Sequence, residues 1–104
     1  MSNKVLFICS YGMLRSATAA HHFISRGWNT RCAGTMPDAV QPIHKNTLLW
    51  ADKIYVMEKK HIEQLKDMFD IRDLNIRVLD IPDVFSYMDP ELIQLLEARL
   101  EETN

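Results

Sequence analysis

Cysteine is scarce in this chain: among 104 residues only Cys9 and Cys32 occur. Two thiols are too few for a disulfide framework, so a cytoplasmic protein with reduced thiols is expected. Glycine is rarer than usual, with three residues, and no Gly/Ser linker, internal repeat or low-complexity tract interrupts the chain. Long apolar runs are missing too. The N-terminal run Val5 to Ile8 is shorter than a signal-peptide core and far shorter than the ~20 residues of a membrane span, which argues against secretion and against a membrane partner. Charge of one sign is also lacking. A formal net charge of -2 gives no electrostatic reason to expect nucleic acid or an anionic surface as partner, although a local cationic pocket is compatible with it.

What is present is ordinary globular material, 47% apolar and 25% charged, of a length that forms one domain over residues 1–104 with one modest core. Runs rich in β-branched and aliphatic residues predict strands at Lys4 to Cys9, Asn29 to Ala33, Lys53 to Met57 and Ile76 to Ile81. Helical spacing is read between and after them. Arg15 to Arg26 places Ala19, Ala20, Phe23 and Ile24 on one side; Pro42 to Ala51 carries Ile43, Thr47 and Trp50, with a proline suited to a first turn. Lys60 to Phe69 presents Ile62, Leu65, Met68 and Phe69. In the last helix Asp89 is a candidate cap, Pro90 suits the first position, and Leu92, Ile93, Leu96 and Leu100 form a stripe. Alternating strands and helices predict a three-layer α/β domain: a four-stranded, mainly parallel sheet with helices on both faces. Ligands collect at the carboxyl ends of such strands, where Cys9, Gly34 and Asp83 would all lie.

The stretch Lys4 to Phe23, KVLFICSYGMLRSATAAHHF, ends an apolar strand on a cysteine, inserts five residues, and then sets an arginine and a serine before a helix. A loop that leaves a strand and enters a helix turns successive N–H groups into one concavity, where the helix terminus adds about half a positive charge. Such a nest, Ser10, Tyr11, Gly12, Met13, Leu14, Arg15 and Ser16, suits a tetrahedral oxyanion. Gly12 can take a positive φ, and Arg15 supplies a planar fork that grips two phosphate oxygens. In that field the sulfur of Cys9 favours the thiolate, the nucleophilic form. Ser16 can donate its hydroxyl to it.

VLFICSYGMLRS resembles the C-x5-R-S phosphate loop of the low-molecular-weight protein tyrosine phosphatases. CAGT at Cys32 to Thr35 is similar to that family's S-A-G-T, and ADKIYVMEKKHIEQL resembles its third strand and following helix. DIPDVFSYMDPELIQLL is most similar to a short, compact branch of predicted phosphatases within it. The resemblance implies a cysteine-dependent phosphatase in which Cys9 attacks phosphorus and Arg15 holds the phosphoryl oxygens, with no cofactor. IPDVF resembles the family's I-P-D-P-Y loop and thereby assigns the general acid to Asp83. A carboxylic acid beside the nest suits the task, since a leaving phenolate must be protonated as the P–O bond breaks. The implied partner is a phosphorylated protein or a small aryl phosphate.

Competing readings attach to several residues. Asp80 is within reach as an alternative acid, whereas Asp89 reads as a helix cap. Tyr11, Phe85 and Tyr87 are candidates for the pocket wall or for core cover. His21 and His22 point about 100° apart on a helix, and His44 and His61 have no ligand-spaced partner, so no metal site is expected. Cys32 reads as a packed thiol; a reversible Cys9 to Cys32 disulfide would need Cα atoms closer than ~7 Å. The loop departs from the family pattern at Gly12, where an asparagine braces it, at Leu14, where a second cysteine stands, and at Ala17 and Val84, where prolines stand. The segment from Thr35 to Pro42 is also short. Two other functions compete with hydrolysis. CSYGM resembles the C-S-x-G-M loop of the sugar phosphotransferase IIB proteins, which carry phosphate on cysteine, and the loop substitutions allow a weakly active phosphate-binding regulatory domain.

Overall fold

The computed structural model describes residues 3–103. Four strands, β1 (Lys4–Cys9), β2 (Asn29–Gly34), β3 (Lys53–Val56) and β4 (Ile76–Val78), alternate with four helices, α1 (Arg15–Ile24), α2 (Lys45–Trp50), α3 (Lys59–Met68) and α4 (Pro90–Thr103). The sheet has the order β2-β1-β3-β4, and every pairing is parallel. Because β1 is central, both of its faces must be covered, which is why its sequence is a continuous apolar run. Val5, Phe7 and Cys9 point into one core with Ala19, Ala20 and Phe23 of α1 and Leu92, Leu96 and Leu100 of α4. Leu6 and Ile8 point into the other, with Leu48 of α2 and Leu65 of α3. Phe7 stacks between Phe23 and Tyr55 at centroid distances of 5.9 and 5.7 Å. This is the three-layer α/β architecture that the strand–helix alternation predicts. The chain leaves β1 toward β2 and later returns to its other side at β3, so the strand order reverses at β1. A crevice therefore opens at the carboxyl end of that strand, beside Cys9.

Several boundaries differ from the sequence reading, each for a local reason. The second helix does not begin at Pro42: Pro42 forms a parallel bridge with Gly34, and Ile43 donates its N–H to the Gly34 carbonyl at 2.9 Å, holding both residues extended. Helix α2 starts only at Lys45, after an extended His44, and buries Leu48. Strand β4 stops at Val78 because Asp80 takes φ 55°. Beyond that point Leu79 and Ile81 still donate to Val56 and Met57 carbonyls, so the chain remains tied to β3 without continuing the ladder. Helix α1 ends at Ile24, before Gly27 at φ 88°. Ile24 and Met68, read as members of apolar faces, are 51% and 45% exposed. Asp89 does cap α4, its Oδ1 accepting the Glu91 N–H at 2.9 Å. Among the described residues no helix is long and apolar enough to cross a membrane.

Candidate active site

The loop after β1 turns because Gly12 adopts φ 68°. A Cβ there would lie 3.1 Å from the Ala33 carbonyl carbon and 3.2 Å from the Gly34 nitrogen. Glycine is thus required by conformation and by packing together. Gly34, the register partner of Cys9, is tighter still: an added Cβ would meet the Ser10 carbonyl oxygen and the Tyr11 carbonyl carbon, both at 2.6 Å. The short segment after β2 then clasps the loop from outside. Thr35, Met36 and Val40 donate backbone N–H groups to the carbonyls of Cys9, Ser10 and Tyr11 at 3.0, 3.0 and 3.1 Å. Three loop carbonyls are satisfied in this way.

Among the described residues no protein acceptor pairs with the amides of Tyr11, Met13, Leu14, Arg15 and Ser16, whereas the Gly12 N–H donates to Cys9 Sγ at 3.3 Å. The sulfur, 3% exposed, also lies 3.1 Å from the Ser16 hydroxyl. The Gly12 N–H thus points at the sulfur, while the Ser16 hydroxyl stands between the sulfur and the Ala33 carbonyl, to which it donates at 3.5 Å. Arg15 is buried at the first position of α1. Its Nη1 donates to the Glu58 carboxylate and, at 2.8 Å, to the Ile81 carbonyl. Its Nε lies 3.7 Å from Asp83 Oδ1. A cavity of about 80 Å³ lined by Cys9, Ser10, Tyr11, Met13, Leu14, Arg15 and Asp83 opens there. Cys9, Arg15 and Asp83, separated by up to 74 positions in the chain, thus meet around one small space.

Other candidates sit elsewhere. Phe85 packs against the α1/α4 core, and the Tyr87 hydroxyl is 2.5 Å from His21 Nδ1 on α1, so neither lines this cavity, while Tyr11 does. Asp80 is exposed, and among the described residues Asp83, not Asp80, forms the ion pair with Arg15. His22 pairs with Glu97, and His44 precedes α2. Cys32 pairs in register with Phe7, two positions behind the partner of Cys9. Strand spacing and rise then put the two Cα atoms roughly 8 Å apart, beyond disulfide reach without backbone movement. The disulfide considered from the sequence is not accommodated by this register. Burial, followed by the neighbouring Cys9, pushes the Cys32 thiol up from its usual value.

Glu58 escaped the sequence reading, and His61 was weighed there only as a metal ligand. Burial pushes the Glu58 carboxyl upward, but the hydrogen bond and charge of Arg15, with Lys60 and His61, outweigh it and hold it below the usual range. His61 is completely buried on α3. Its Nδ1 accepts the Glu58 N–H at 3.0 Å, and its Nε2 lies 3.0 Å from Ser10 Oγ. Burial, reinforced by the charge of Arg15, holds the imidazole down to about 4. The available signal was E-x-x-H directly after β3, a helix start whose third residue can reach back to the cap.

No protein-family model and no curated protein matches the sequence. Solved structures do. The tyrosine phosphatase Wzb from Escherichia coli K30, in complex with phosphate, superposes with a TM-score of 0.77 at 17% identity, over 99% of this chain and 96% of that one. A low-molecular-weight phosphotyrosine phosphatase from Vibrio cholerae gives 0.70 at 19% identity, over 98% and 96%. The YwlE arginine phosphatase from Geobacillus stearothermophilus gives 0.71 at 19%, over 97% and 92%. Over nearly its whole length, the chain has the fold of the low-molecular-weight protein tyrosine phosphatases.

Proposed function

We propose that this protein is a phosphomonoester hydrolase working through a phosphocysteine on Cys9, with aryl phosphates such as phosphotyrosine as its substrate class. The observation that carries the reading is the convergence on one small cavity of the Cys9 sulfur, the buried Arg15 guanidinium and the Asp83 carboxyl. The unpaired loop amides and Arg15 receive the equatorial phosphoryl oxygens. Phosphoryl transfer has a loose transition state, so these donors act by positioning and by stabilising oxygen charge.

In the first step the Cys9 thiolate attacks phosphorus, the P–O bond to the leaving oxygen breaks, and the Asp83 carboxyl transfers its proton to that oxygen. In the second, the Asp83 carboxylate takes a proton from water, whose oxygen attacks phosphorus. The S–P bond breaks, the thiolate departs, and inorganic phosphate is released. Ser16 steadies the departing sulfur. The cavity has room for a phosphoryl group but not for an aryl ring as well, so the ring rests on the rim, where Tyr11 and Met13 are 43% and 52% exposed. The tyrosine and arginine phosphatases among proteins of the same fold support a phosphorylated protein as partner. The two free thiols support action in a reducing compartment such as the cytoplasm.

A phosphoryl carrier would need no acid beside its sulfur, and the closeness of Asp83 to Arg15 favours hydrolysis. Turnover of p-nitrophenyl phosphate by the purified chain, abolished in Cys9→Ser, is the expected result. Hydrolysis that survives Cys9→Ser unchanged removes the proposal.

A further inference from the structure

Gly12 has no side chain to bond with, and the clasp formed by Thr35, Met36 and Val40 engages only main-chain carbonyls. Below the loop stands the imidazole of His61, with no surface exposed to solvent. Both of its nitrogens are engaged, and the two engagements fix its state. Nδ1 accepts the Glu58 N–H, so the single proton of the neutral ring resides on Nε2 and is donated to Ser10 Oγ, 3.0 Å away.

We infer that His61 is a positioning residue for phosphoryl transfer: anchored by the start of α3, its imidazole pins the Ser10 hydroxyl and with it the first turn of the loop that follows Cys9. The inference rests on the phosphatase reading for its catalytic consequence, while the brace itself is a property of the fold. Three points support it. Ser10 adjoins the nucleophile and lines the same cavity. The depressed basicity of His61 keeps the ring in the donor form required at neutral pH. The residue holding Nδ1, Glu58, also holds Arg15 through its carboxylate, so a single helix start fixes both ends of the loop. Oxyanion donors are effective only when held within about 0.5 Å of their working positions, and the bond to Ser10 restricts the end next to the sulfur.

Two substitutions separate this role from simple core packing. His61→Asn keeps an oxygen able to accept the Glu58 N–H but cannot reach Ser10, and Ser10→Ala removes the acceptor while leaving His61 in place. Amide hydrogen exchange is read at Tyr11 to Leu14 and expressed relative to β1 and β3 in the same sample. Each variant is expected to speed relative loop exchange about tenfold, and the double variant no further than either single one. On p-nitrophenyl phosphate, kcat is expected to fall about tenfold, with inhibition by inorganic phosphate altered less than about threefold. Relative loop exchange that is unchanged in Ser10→Ala, or a double variant whose effects simply add, overturns the brace. So does an acceleration shared equally by the loop and the core strands, which would make His61 a packing residue. Should His61→Asn fail to fold, Ser10→Ala alone decides. Failure of the hydrolase reading appears separately, as absence of turnover in the unaltered protein, and leaves the exchange result to judge the brace.

Discussion

The guanidinium of Arg15, a residue only 1% exposed, is bound by the carboxylate of Glu58, which lies 43 residues further along the chain. A buried cation is tolerated only with a counter-charge and satisfied donors, and Glu58 together with the Ile81 carbonyl provides them. The cation beside the Cys9 loop is therefore held in place by a residue from beyond β3.

Glu58→Gln removes that counter-charge. The pair is only partly buried, so a loss of about 1–3 kcal/mol is expected, or roughly 5 to 15 °C in Tm for a domain of this size. Orthovanadate or phosphate should restore part of the loss by lending its own charge to Arg15. The check is thermal melting with and without the anion: a stabilisation no larger in the variant than in the unaltered protein would contradict anion binding at Arg15.

Gly34→Ala and Gly27→Ala should differ sharply. The first drives a methyl group into the backbone of the loop after β1 and is expected to cost about 3 kcal/mol while reducing anion affinity. The second has nothing within 4 Å and only a φ of 88° to accommodate, for about 1 kcal/mol. Urea denaturation of the two variants makes the comparison.

The stability of the protein should fall in mild acid through His61. Its ordinary value is 6.5, and burial beside Arg15 lowers it to about 4 in the fold. Between those limits the unfolded chain takes up a proton that the folded chain does not. The contribution is therefore complete above pH 6.5, declines as pH falls toward 4, and levels off below. A loss on the order of 3 kcal/mol across that window is expected. Glu58, held below 4.5, would add its own loss only at still lower pH. Denaturant titrations at pH 7, 5.5 and 4 measure the effect, and His61→Asn should flatten the upper part of the curve.

Asp83→Asn should slow hydrolysis most where the leaving group is most basic. About a hundredfold is expected on phenyl phosphate and much less on p-nitrophenyl phosphate, whose phenolate departs without help. Asp80→Asn should leave both rates within about threefold. Equal, small effects at Asp83 would move the acid to another residue.

The local parts of this molecule were legible in the amino-acid order because their causes are local. Strand β1 follows from an apolar run, the turn at Gly12 from a residue that tolerates φ 68°, and α4 from Asp89, Pro90 and leucines spaced at four. Cys9, Arg15 and Ser16 sit in one contiguous stretch, so their closeness around one strand–helix loop could be read there. Extended Pro42 and Ile43 could not be: proline favours a helix start by itself, and only the neighbouring Gly34 backbone draws the segment into a bridge. Exposed Ile24 and Met68 show the same limit, since a helical face is buried only where another element covers it.

Taken alone, the amino-acid order determined the alternation of strand and helix, the turn that follows Cys9 and the cationic character of Arg15, because each depends on backbone preference and side-chain type over a few neighbouring positions. Tertiary structure alone decided that Glu58 holds Arg15, that Asp83 rather than Asp80 faces it, and that His61 supports Ser10. Those pairings depend on register and crossover geometry, which bring distant segments within 4 Å of one another, and no short stretch of residues encodes such a distance.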